Sequence, residues 1–123
     1  MISMTRKLKP IVYSCSGCSN LAQMANQLAV KLNESQKAEM SCIAGVGGNV
    51  PSLVKIAQSG RPILAIDGCH LACSKQCLAN HDVTPDKHLV LSDIGYKKRY
   101  NQLMTDQDID EALSLTMVLC DEL

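Results

Sequence analysis

The chain has 123 residues, with 12 basic and 12 acidic side chains balancing to a formal net charge of zero. That length suits one domain around one core, and the neutral balance gives no electrostatic footprint for nucleic acid or an anionic membrane. Phe and Trp are absent, so the core falls to Leu, Ile, Val, Ala and Met, and the stacking platform of single-strand nucleic-acid binders is missing.

In chain order, residues 9–14 read as a first strand ending at Cys15. Ser16-Gly17 turns the chain, and Ser19 or Asn20 can cap a helix over about 21–34. Its apolar positions Leu21, Met24, Ala25, Leu28, Ala29 and Leu32 fall at helical spacing. Residues 38–43 read as a short second strand, followed by Gly45-Val46-Gly47-Gly48-Asn49 as a flexible turn. A second helix is expected over 50–59, with Pro51 in its first turn, where proline is tolerated, and Gly60 just past its end.

Pro62 opens the apolar run Ile63-Leu64-Ala65-Ile66, a buried third strand. Asp67-Gly68 breaks it, and helical composition follows through Leu71, Ala72, Lys75, Gln76, Leu78 and Ala79. Cys69, Cys73 and Cys77 then stand at i, i+4 and i+8, drifting about 40° per step and forming one stripe. A fourth strand is expected over 87–94, stopped by Gly95. The last helix starts near Thr105, with Asp108 three residues on in the manner of a capping box.

Strand and helix alternate throughout. The expectation is a single α/β domain in three layers: a mostly parallel sheet of at least four strands with helices on both faces, Rossmann- or flavodoxin-like. In such a sheet all strand C-termini share one edge, and ligand sites lie outside it where strand order reverses. Cys15, Cys42 and Cys69 would each end a strand, as would Asp93. Three residues of one reactive type at equivalent positions should meet in space.

No run of about 18 apolar residues occurs, so no membrane-spanning helix is expected. The segment Met1 to Lys9 lacks the apolar stretch of a secretory signal. A cytoplasmic setting, where thiols stay reduced, follows as the expectation. Seven cysteines is an odd number, so they cannot all pair within one chain.

Each thiol has a plain structural reading beside the chemical one. Cys15-Ser16-Gly17-Cys18 is a CxxC turn, equally suited to two zinc ligands about 3.8 Å apart or to disulfide exchange at a helix start. Cys69 and Cys73, about 6 Å apart along a helix axis, could share a metal. Cys77, about 12 Å from Cys69, could not, and should pack between helices. Cys120 belongs to the core. His70 could add a ligand or face solvent; His81 and His88 read as surface residues. Lys97-Lys98-Arg99 reads as a solvated loop face. The glycines at 45–48 lack both GxGxxG and the Walker lysine, and no arginine follows Cys15 or Cys69 at the cysteine-phosphatase spacing.

Tyr13-Ser14-Cys15-Ser16-Gly17-Cys18-Ser19, Met40-Ser41-Cys42, Ile66-Asp67-Gly68-Cys69 with Cys73 and Lys75, and Ser92-Asp93-Ile94-Gly95, in that order, resemble the DGC domain family. The resemblance runs over nearly the whole chain and implies a zinc site of four cysteines without an assigned activity. Residue by residue these match Cys15, Cys42, Cys69 and Cys73, with Cys18 the first substitute. The family pattern has a small residue where Cys18 stands and a proline where His70 stands. Asp67 is expected to hold the turn through backbone hydrogen bonds or to orient a ligand.

The function expected is zinc binding by a thiolate site at the sheet's C-terminal edge, in a binding, sensing or delivery role. The partner expected is a metal ion, with neither nucleic acid nor membrane expected. No paired histidine and glutamate offers the base of a zinc hydrolase. The alternative is a thiol–disulfide oxidoreductase using Cys15 and Cys18 with Cys69 or Cys73 as resolving partner.

Overall fold

The computed structural model describes residues 8–123. The absence of a secretory signal, read from residues 1–9, therefore lies almost wholly outside it. Four strands, β1 (Ile11–Ser14), β2 (Glu39–Met40), β3 (Ile63–Asp67) and β4 (Lys87–Val90), pair in the order β2-β1-β3-β4, all parallel. Strand order reverses at the junction of β1 and β3, so the crevice beyond their C-terminal ends is the topological switch point.

The alternation of β1 and β3 divides the core. Val12, Leu64 and Ile66 pack with α1 (Asn20–Glu34) and α5 (Asp106–Asp121). Ile11, Tyr13, Ile63 and Ala65 pack on the opposite face, with Val46 of α2 (Ile43–Gly47), Ala57 of α3 (Pro51–Ala57) and Leu78 of α4 (Cys73–Ala79). The three-layer α/β arrangement is thus the one the alternation predicted. A period of two along the strands feeds two apolar layers, each covered by helices.

The strongest local signals hold. Ser19 caps α1, its side chain accepting from the Ala22 N–H at 3.1 Å, and Thr105 caps α5 by accepting from Asp108 N–H at 3.2 Å. Cys120 is buried in the layer formed by α1 and α5.

Three stretches differ from expectation. β2 is two residues long, and Cys42 lies beyond it as the residue that opens α2. The glycine-rich segment expected to be a flexible turn is therefore largely helix. Gly47 allows close approach: a β-carbon on it would come within 2.9 Å of the Cys77 Sγ, so a larger residue would require that side chain to shift. The same contact accounts for Cys77, which packs between helices as its spacing predicted. Second, β4 ends at Val90 and Leu91–Ile94 forms a 3-10 turn, which places Asp93 past the strand rather than at its end. Third, α4 starts only at Cys73. Residues 68–72 are a loop whose last member, Ala72, adopts a left-handed backbone at φ 51° and ψ 51°, so Cys69 is off the helix and the expected three-cysteine stripe does not form.

Candidate functional site

The β1–β3 register runs from Ile11 opposite Ile63 to Ser14 opposite Ile66, and the Cys15 N–H continues it by donating to the Ile66 carbonyl at 3.0 Å. Cys15 and the Asp67-Gly68-Cys69 turn therefore leave the sheet side by side at the switch point. Their contact is direct: the Gly68 N–H donates to the Cys15 Sγ at 3.2 Å.

Each residue of the Asp-Gly-Cys turn has a separate physical task. Asp67 is fully buried. Its Oδ1 accepts from the Ser74 N–H at 2.8 Å and its Oδ2 from the Lys75 N–H at 3.3 Å. It thus satisfies two of the orphan donors at the start of α4 from seven and eight residues upstream. This is the backbone-holding role expected of it. Its Oδ2 also meets His88 Nε2 at 2.8 Å, so His88, read from sequence as a surface residue, is a half-buried partner of the turn. His88 and Asp67 sit on the same face of neighbouring parallel strands, a pairing visible only once the register is known.

Gly68 is where the turn crosses the start of α1. A β-carbon there would stand 2.8 Å from the Leu21 carbonyl carbon and 2.9 Å from the Ala22 nitrogen. These are main-chain atoms of a capped helix and cannot swing aside, so only glycine lets the turn pass. Cys69 follows, partly exposed, and Lys98 Nζ approaches its Sγ at 3.5 Å.

Lys98 comes from the loop after the 3-10 turn, and Asn20 fastens that loop to α1. The Asn20 Nδ2 donates to the Lys97 carbonyl at 2.9 Å, its Oδ1 accepts from the Arg99 N–H at 2.6 Å, and its own N–H donates to the Arg99 carbonyl at 2.8 Å. The basic run is exposed as expected, but it is not free: Asn20 docks it beside the thiols, and Lys98 also lies over the Tyr100 ring, 5.2 Å from its centre.

The thiols divide by environment. Burial pushes the Cys15 thiol up to about 11, with the Gly68 amide opposing and charge on Asp67, Cys73 and Cys69 adding to the rise. Cys69 and Cys73 are thus within electrostatic reach of Cys15. Cys18 and Cys73 are exposed. Cys42, also exposed, lies on the same sheet edge but toward β2, beside Tyr13 rather than Cys15. Cys77 is raised chiefly by its burial against α2. His70 is exposed, and His81 is half-buried with Nε2 2.9 Å from the Val46 carbonyl oxygen.

Thiolate donors suit zinc or another thiophilic ion. Among the described residues, however, no three His, Cys, Asp or Glu side chains converge closely enough to hold a metal as they stand. The thiols share an edge and, for three of them, a crevice, without closing into a coordination shell.

A cysteine-lined switch point on a four-stranded parallel sheet defines the class of protein, and comparison gives the family. The model of the DGC domain matches residues 11–115, and the chain belongs to that family. Among characterised relatives, the "Anaerobic and virulence modulator AnvM" of Pseudomonas aeruginosa is 61% identical over 101 residues, covering 82% of this chain and 77% of the relative. No solved structure matches the chain. Among the described residues, no helix is long and apolar enough to cross a membrane.

Proposed function

We propose that this chain is a regulatory zinc-binding protein whose ligands are drawn from the cysteines of the C-terminal edge. Cys15, Cys69 and Cys73 are the principal set, and Cys42 or Cys18 supplies the fourth sulfur. The observation that carries this reading is the crevice itself: Cys15 hydrogen-bonds to the turn that bears Cys69, and both Cys69 and Cys73 bias its protonation. Bound zinc would supply the charge that keeps these thiols ionised, since metal affinity and thiol deprotonation are linked. Because no three donors converge among the described residues, rearrangement of the 68–72 loop is part of the proposal. That loop carries the left-handed Ala72, a conformation that a non-glycine residue holds at a cost of about 1–2 kcal/mol. The relative is described as a modulator, which favours a sensing role over catalysis for this chain as well.

The thiol–disulfide alternative fares less well. A Cys15 thiol pushed up to about 11 is largely protonated near neutrality and a poor leaving group. Among the described residues the sheet is all parallel, without the antiparallel strands of a thioredoxin-like fold.

The test is made on protein purified anaerobically without chelator, by measuring zinc per chain, free thiols and turnover of a model disulfide. Near-stoichiometric zinc without turnover is expected. Metal-free protein that cycles Cys15 and Cys18 catalytically would replace this reading with its alternative.

A further inference from the structure

The β2 side of the sheet holds a recess that the thiol crevice does not use. β2 pairs through only two residues, so the chain leaves the sheet at Ser41 and turns into α2 while α1 runs on alongside. Between them lies a cleft of about 470 Å³ whose lining includes Ser14, Asn26, Met40, Cys42, Ile43 and Ala44. That volume falls within the range of small-molecule sites. Its exposed walls are mostly apolar, and among the described residues no charged side chain lines it.

Ser14 supplies the second observation. It is the last residue of β1 and faces α1, on the same side of the strand as Val12. It is only 2% exposed, and its Oγ has no hydrogen-bond partner among the described residues. Buried hydroxyls nearly always have a partner, and this one lines a cleft. A charged ligand would lose its hydration here without gaining a counter-charge. A wholly hydrocarbon one would leave the hydroxyl unpaired.

We infer that this cleft binds a small, neutral, mainly hydrocarbon molecule bearing a carbonyl group that accepts a hydrogen bond from Ser14. Cys42 forms part of the wall, so occupancy shields its thiol. The inference does not depend on zinc: it needs the cleft and the Ser14 hydroxyl, not a metal at the switch point.

The experiment titrates the reduced full chain with 1-indanone, a neutral bicyclic ketone, following backbone amide shifts. Benzoate serves as an anionic control, and iodoacetamide labelling of Cys42 is compared with that of Cys18. Saturable shifts centred on Ser14, Ser41, Ile43 and Ala44 are expected, with a dissociation constant on the order of 1 mM. Labelling of Cys42 should slow while that of Cys18 does not, and benzoate should not bind. Ser14→Ala should weaken the ketone by about fivefold to tenfold, the worth of one hydrogen bond. Ala44→Phe, which fills the cleft, should abolish binding, with the fold of each variant checked by circular dichroism. Should a variant not fold, the labelling contrast in the parent protein still decides. Scattered or non-saturating shifts would overturn the inference. So would equal protection of both thiols, benzoate binding as well as the ketone, or Ser14→Ala binding as tightly as the parent because water alone satisfies the hydroxyl. Zinc loss with intact ketone binding would count against the metal reading only.

Discussion

The two sides of the sheet's C-terminal edge are built to different tightness. At the β1–β3 junction four residue pairs are in register and the ladder continues through Cys15. Beyond it, one carboxylate ties a helix start and a neighbouring strand to the turn, and an asparagine fastens the basic loop. At the β2 margin two pairs suffice, and the chain peels away into a glycine-rich helix beside a cleft. The difference teaches that cysteines at equivalent topological positions do not share an environment. Cys15 is tied by the Gly68 N–H to the turn that bears Cys69, whereas Cys42 opens α2 without a side-chain capping bond.

That contrast can be broken most severely at Asp67. Asp67→Ala should cost about 3 kcal/mol in urea unfolding, because two helix N–H groups and His88 lose their acceptor together. His88→Ala should cost less, since both α4 contacts survive. Equal losses for the two variants would mean that the His88 pairing, not the capping of α4, carries the turn. Gly68→Ala comes next at about 2 kcal/mol, from forcing a methyl against the α1 backbone. Gly95→Ala, where an added β-carbon would meet nothing, separates this steric cost from the conformational one. Gly95 has a φ of 102°, so its penalty is strain alone and should leave metal binding unchanged.

Smaller and opposite in sign is Ala72→Gly. Relieving the left-handed backbone should raise stability by about 1 kcal/mol, visible as a higher urea midpoint with an unchanged slope. A loss would mean that the loop needs the Ala72 side chain.

A further effect is one of pH, at a buried thiol far from the site. Burial pushes Cys120 up to about 11 from 9.0. The unfolded chain then loses this proton first as pH rises, so the folded state is favoured fully below pH 9 and loses that advantage as pH climbs from 9 through about 11. Cys120→Ala should flatten part of this decline. An unchanged slope between pH 9 and 10 would show that Cys120 ionises alike in both states.

The fold was readable from sequence where local chemistry acts alone. Apolar runs bounded by Pro62 or by Ser16-Gly17, the Ser19 and Thr105 caps, and Pro51 at the start of α3 are set by neighbours along the chain. What was not readable depends on distant contacts. The glycines of α2 look like a turn because the close approaches they allow, Gly45 to Leu53 of α3 and Gly47 to Cys77 of α4, exist only in the folded state. Cys69 looks helical because nothing in Leu71-Ala72 announces a left-handed residue. His88 looks like a surface residue because its partner lies 21 positions away, on another strand. The candidate site was half legible. Strand-end logic placed Cys15 and Cys69 together, but two short strands, β2 and β4, moved Cys42 and Asp93 past the positions the pattern gave them.

The central claim is that the switch-point thiols act as one metal site. Its most direct test is a competition titration of anaerobically reduced protein against a chromophoric zinc chelator, across single cysteine-to-serine variants. Cys15→Ser, Cys69→Ser and Cys73→Ser should each lose zinc affinity on the order of 100-fold or more, while Cys77→Ser and Cys120→Ser keep it. Retained affinity in Cys15→Ser, or a loss in Cys77→Ser as large as in Cys69→Ser, would contradict the account.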